Sequence, residues 1–208
     1  MAFSELSLRV WHGVQAHNFA ILHDARAVRH AIVGGIVRRS RRRTRCKALV
    51  KTVIHAGVWN TDTDPERLAR VAAAAADAGF EGLALPLRDP VLMQPAALAK
   101  IFEHTGLEAL GTVGLPPGAD VSSPEADQRS RGEAHLTQVI EVARDIGIVQ
   151  LGGVFYAPLG HAPAPAANDA RRRSAEVMAR VADKAAASGI RLCVEIVNRY
   201  EAALLNTV

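Results

Sequence analysis

From Val50 onward, short apolar runs alternate with longer stretches in which apolar positions recur every three or four residues. The run VKTVIHAGVW is apolar and β-branched over too few residues for a helix, and reads as a strand. TDTDPERLARVAAAAADAGF then carries helix punctuation: Asp64 as N-cap, Pro65 at the first helical position and Gly79 as the stop. Leu68, Val71, Ala72, Ala75 and Ala76 fall on one face of that helix. GLALPL predicts a second strand, Pro95–Thr105 a second helix and LEALGTVGL a third strand. After a loop rich in Pro, Gly and Ser, Leu136, Val139, Ile140, Ala143 and Ile146 make another helical stripe, closed by Gly147. VQLGGVFY is the fourth strand, a long helix over residues 169–188 ends at Gly189, and RLCVEIV is the fifth strand.

Strands and helices in strict alternation predict a parallel sheet built from right-handed βαβ units. The strands show no polar alternation, the pattern of strands buried on both faces. Long loops follow strands three and four, whereas short ones precede each strand. Function-bearing loops therefore gather at the strands' C-terminal ends, as in a (β/α)8 barrel. A doubly wound sheet is the rival, but HAGVWNTDTD lacks the glycine-rich phosphate turn that usually follows its first strand. The fold predicted is α/β of the (β/α)8 TIM-barrel type over residues 50–208, stopping after the fifth strand.

Composition supports a globular chain, with 49% apolar and 22% charged residues. The net charge of +4 changes meaning once it is divided along the chain. Residues 1–50 hold ten Lys/Arg against two Asp/Glu, and the remainder is net acidic. The positive charge thus belongs to the leader, and a chain-wide affinity for nucleic acid does not follow. Within residues 1–49, GGIVRRSRRRTRCK is a dense arginine block preceded by a stretch with no clean period. It reads as an extraneous basic segment outside the fold, a leader or an extension from a start site called too early. A transit peptide and a nucleic-acid-binding arm are the alternatives, the second weakened by the lack of interleaved aromatics. Cys46 and Cys193 are too far apart in sequence to suggest a disulfide framework or a metal motif, which points to the reducing cytoplasm. No apolar run reaches the length of a membrane span.

Glu195 is the chemical signal, a carboxylate within the apolar fifth strand. Burying an ionised carboxylate is costly unless a cation or hydrogen bonds compensate. Two readings stand: a metal or catalytic acid at a strand end, or a structural ion pair with a neighbour such as Arg199.

The surrounding stretch VEIVNRYEAALLNT resembles the fifth-strand motif of the D-tagatose/D-psicose 3-epimerase family, sugar isomerases and epimerases with the xylose isomerase-like TIM barrel. The similarity runs through IHAGVW, ALPLRDP, GLPPGADVSS and LGGVFYAPLG, covering residues 50–208. It implies a metal-dependent ketose 3-epimerase-like enzyme that moves a proton next to a carbonyl through an enediolate-like intermediate. Family members hold one divalent ion, typically Mn2+ with Mg2+ or Co2+ as alternatives, through Glu, Asp, His and Glu side chains of strands five to eight. By this resemblance Glu195 is the first metal ligand and one of the two proton-transferring acids. Glu201 matches the glutamate that hydrogen-bonds substrate hydroxyls, His55 and Trp59 are pocket-wall residues, and Tyr156 lines the mouth. The other three ligands have no counterpart before Val208, and Ala84 stands where the family often has Glu. The resemblance therefore implies a partial barrel, inactive alone. The substrate expected is a ketose, free because no phosphate cradle is present, with no membrane partner. Hydroxypyruvate or inositol-pathway isomerases of the same fold are alternatives. A non-catalytic partner- or nucleic-acid-binding fragment using residues 38–45 is the reading of another class. A partial barrel would expose two strand edges and the inward candidates Val53, Leu151, Val194 and Ile196, so dimerisation or aggregation is expected.

Overall fold

In the computed structural model, which describes residues 19–22, 51–60, 63–160 and 168–206, parallel strands alternate with helices in the predicted order. These are β2 (Val53–His55), α1 (Pro65–Asp77), β3 (Gly82–Pro86), α2 (Pro95–Thr105), β4 (Glu108–Thr112), α3 (Ala126–Ile146), β5 (Gln150–Gly153), α4 (Asn168–Ala187) and β6 (Arg191–Glu195), with β1 (Phe19–Leu22) ahead of them. The Asp64 carboxylate accepts the Arg67 N–H at 3.0 Å and so satisfies a backbone donor at the start of α1. Leu68, Val71, Ala72 and Ala75 of α1 are buried, the stripe expected from their spacing. Gly106 and Gly147 end α2 and α3 at φ of 70° and 89°, a conformation that costs glycine little.

The sheet order is β1-β6-β5-β4-β3-β2, and each neighbouring pair from β2 to β6 is parallel. Sequential strands stay adjacent with no reversal. A doubly wound sheet needs a reversal at its switch point, so the winding is that of a barrel.

Register separates the two faces. His55 lies opposite Ala84, and Ala84 opposite Leu110. Pro86, Thr112, Gly152 and Cys193 form the next layer on that face, and Glu195 follows two residues beyond Cys193. The other face carries Leu85, Gly111, Leu151 and Leu192 in one layer. In β4 the second face is buried while Glu108, Leu110 and Thr112 are half-buried. The helices therefore cover the face of Leu85 and Leu151, and the face of His55 and Glu195 is the one a barrel turns inward. This corrects the expectation for Leu151 and Val194: both are about 1% exposed but share the helix-covered face, in register with Gly111 and Gly153. Val53 does share the face of His55, two residues away on β2.

Most of residues 1–49, the arginine block included, falls outside the described residues. The four that are described, Phe19–Leu22, pair antiparallel with β6, with Phe19 opposite Glu195 and Leu22 opposite Leu192.

Candidate active site

Glu195 closes β6 at its C-terminal end and is half-buried. Burial, and then the negative charge of Glu201, push its carboxyl above the usual carboxylate range. Among the described residues no cation is paired with it. Arg199, the neighbour an ion pair would use, instead lies over the Tyr200 ring at 5.3 Å from its centre and donates to the Tyr200 hydroxyl at 3.3 Å.

Glu201 is held by the turn that follows β6. The Asn198 side-chain oxygen accepts the Tyr200 N–H at 2.8 Å, while its amide donates to the Glu201 carboxylate. The Glu201 backbone carbonyl also accepts the Gly160 N–H at 2.8 Å, tying this turn to the loop after β5. Tyr156, after β5, is fully buried. Its carbonyl accepts the Ser174 hydroxyl of α4 at 2.7 Å, and its own hydroxyl donates to the Leu205 carbonyl at 3.3 Å. Burial raises its phenol, and the charges of Glu195 and Glu201 act in the same direction. Tyr156 accordingly sits beneath the acids as a rivet between α4 and residues 197–206. Asn206 completes the cap, donating to the Ala202 carbonyl at 2.7 Å, and Ala202 and Leu204 are buried under it.

His55 ends β2 on the same face. Its Nδ1 accepts the Gly57 N–H at 2.9 Å, so the ring proton resides on Nε2, which donates to the Thr112 hydroxyl at 2.8 Å. Thr112 passes its own proton to the Leu85 carbonyl at 3.4 Å. Burial, then the charge of Arg88, lower the imidazole's affinity for a second proton. Ala84, directly opposite His55, presents only a methyl group and leaves room for the ring to reach β4. Trp59 packs edge-on against Phe80, with centroids 6.4 Å apart at 74°. The structure thus gathers Glu195, Glu201 and Tyr156 at one side of the sheet, and sets His55 four strands away at the same end.

Carboxylates are the donors a hard divalent ion takes, and the uncompensated charge of Glu195 beside Glu201 is what such an ion would relieve. Among the described residues no group of three or more His, Cys, Asp or Glu comes together. An open cavity of about 480 Å³ lies at the opposite ends of the strands, around Phe80, Glu81 and Thr105. Its Lys51 and Glu108 form an ion pair with one another.

The sequence profile of the xylose isomerase-like TIM barrel matches residues 72–208. The chain belongs to that family. It is 34% identical over 153 residues to the L-ribulose 3-epimerase of Methylomonas sp. (strain DH-1), a match covering 74% of this chain and 54% of the relative. It is 31% identical over 158 residues to the ketose 3-epimerase of Arthrobacter globiformis, covering 76% and 55%. The crystal structure of D-allulose 3-epimerase from Methylomonas sp. in complex with D-allulose superimposes with a TM-score of 0.73 at 33% identity, over 76% of this chain and 55% of that one. The chain spans about half the length of the curated relatives it matches. The resemblance carried by the strand-five motif is borne out.

Asn198, Asn206 and Thr112 were not singled out from the sequence. Asn198 had a legible signal: an Asn two residues before a turn N–H and three before Glu201 is the spacing of an Asx turn. Thr112 had none, because its partner lies 57 residues away.

Proposed function

We propose that this chain carries the fifth-strand acid and the early strands of a ketose 3-epimerase, acting on free ketoses with a divalent ion, manganese first among the candidates. One observation supports this above the rest: Glu195 stands half-buried at a strand end beside Glu201, with no cation paired to it among the described residues, in a chain whose relatives are named ketose and L-ribulose 3-epimerases.

In this reading Glu195 moves the proton on the carbon next to the ketose carbonyl. Without a bound ion, burial and the charge of Glu201 hold its proton affinity above that of an exposed carboxylate. Glu201 accepts hydrogen bonds from the neighbouring hydroxyls, its carboxylate aimed by Asn198. A divalent ion bound by Glu195 would polarise the carbonyl and so acidify that proton. His55, fixed as a neutral Nε2–H donor to Thr112, serves as pocket wall and takes no part in proton transfer. Tyr156 contributes by holding residues 197–206, and hence Glu201, in place. The buried free thiol of Cys193 suits a reducing cytoplasm. Among the described residues no helix is long and apolar enough to cross a membrane.

The test joins residues 51–206 to the part of the Methylomonas L-ribulose 3-epimerase beyond the match and supplies Mn2+. The chimera should interconvert ketoses differing only at C3, and Glu195→Gln should lower the rate at least ~100-fold. Turnover of hydroxypyruvate or an inositol-derived ketone with no ketose turnover would replace the proposal with the isomerases of the same fold.

A further inference from the structure

The parallel sheet has two edges, and they are treated differently. Among the described residues β2 ends one side, with β3 as its partner. The other side ends at β6, and that edge is occupied by β1. β1 is antiparallel to β6, so it is not a strand of barrel type, since every strand of a (β/α)8 barrel is parallel to its neighbours. The pairing is nonetheless extensive, running from Phe19 opposite Glu195 to Leu22 opposite Leu192, four of the five residues of β6.

We propose that residues 19–22 are a built-in cap for the acid-bearing strand, occupying the edge of β6 on which a further strand would pair and shielding it from strands of other molecules. An unpaired strand edge recruits any chain with free backbone groups, because main-chain hydrogen bonds supply the affinity whatever the side chains. The chain's own segment has the advantage of tethering. About thirty residues connect Leu22 to Val53 and can span on the order of 100 Å, while four strand spacings separate β6 from β2 by about 20 Å. A tether of that length gives an effective concentration near the millimolar range, far above a second copy at micromolar concentration. The cap also excludes a parallel strand from the same edge. Cap and barrel extension through β6 are therefore alternative states of one surface. This inference does not depend on the reaction proposed above.

Register supplies the test. Ile21 is directly opposite Cys193, whereas Ala20 is opposite Val194. Opposed residues of an antiparallel pair lie within disulfide reach. In the full chain carrying Cys46→Ser, Ile21→Cys should form a disulfide with Cys193 under mild oxidation, within single chains, in most molecules. Ala20→Cys should form little, because its register partner is Val194 and not Cys193. No disulfide with Ile21→Cys, equal yields for both variants, or linkage only between two chains would overturn the proposal. Independently, Ile21→Pro should remove the pairing. Amide exchange over residues 191–195 should accelerate at least ~10-fold, with larger species in light scattering. Unchanged exchange would overturn the proposal as well.

Discussion

Burial moves the Glu195 carboxyl up and the His55 imidazole down. The two shifts have opposite consequences for stability. A carboxyl raised in the folded state binds its proton more tightly there than in the unfolded chain, so its stabilisation is complete below the usual 4.5 and is lost as pH rises through the folded value. At neutral pH the ionised Glu195 is a cost. Glu195→Gln should therefore raise the melting temperature at pH 7 by on the order of 2 °C and change it little at pH 4, read by calorimetry. Millimolar Mn2+ should stabilise the parent chain and leave the variant unmoved. His55 works the other way. Its lowered value makes stability complete above the usual 6.5 and lost as pH falls through the folded value. Thr112→Val strands the Nε2 proton and should cost about 1–3 kcal/mol in urea unfolding, while nitrogen shifts of the parent's ring show the Nε2–H tautomer at pH 7. Of these residues Glu195 was legible because an acid stands out in an apolar strand. The function of Tyr156 was not, since its hydroxyl is spent on Leu205, 49 residues distant, and nothing local marks an aromatic as a rivet.

At the scale of elements, β5 is shaped by a backbone approach that only glycine allows. Gly153 has φ of 134°, and a Cβ there would lie 2.2 Å from the Val113 carbonyl oxygen. Gly153→Ala should cost on the order of 3–5 kcal/mol, because backbone must move and the dihedral itself is strained. Gly111 offers the contrast: its Cβ would meet the methyl ends of Leu151 and Leu87, at 2.6 and 2.9 Å, and side chains can yield. Gly111→Ala should cost about 1–3 kcal/mol. The order of the two losses in denaturant unfolding is the check. Helix boundaries were legible because their causes are local: Asp64 caps α1 within three residues, and Gly147 ends α3 by its own conformation. Strand faces were not. Leu151 and Val194 belong to short runs apolar at nearly every position, so neither carries a sign of which way it points. Only pairing with Gly111 and Gly153 assigns them.

For the whole molecule, the barrel winding was legible from strand–helix alternation together with the loop lengths and the missing glycine-rich phosphate turn, and β2 to β6 do stay in sequence order. The strand at Phe19–Leu22 was missed because four apolar residues establish no period and the surrounding leader is dominated by its arginines. Its pairing alters the expectation for assembly. With the β6 edge occupied and β2 at the other edge, association between chains should proceed through β2, and a dilution series in light scattering should show a weak, reversible equilibrium without runaway growth. The central claim is that Glu195 transfers the proton at ketose C3. It is met most directly by solvent deuterium, followed by mass spectrometry and carbon NMR in the Mn2+-loaded chimera. Deuterium should enter C3 of the ketose, and Glu195→Gln should abolish the exchange while leaving the protein folded. Exchange that persists in the Glu195→Gln chimera, or a folded and cation-loaded parent that leaves C3 untouched, would contradict the account.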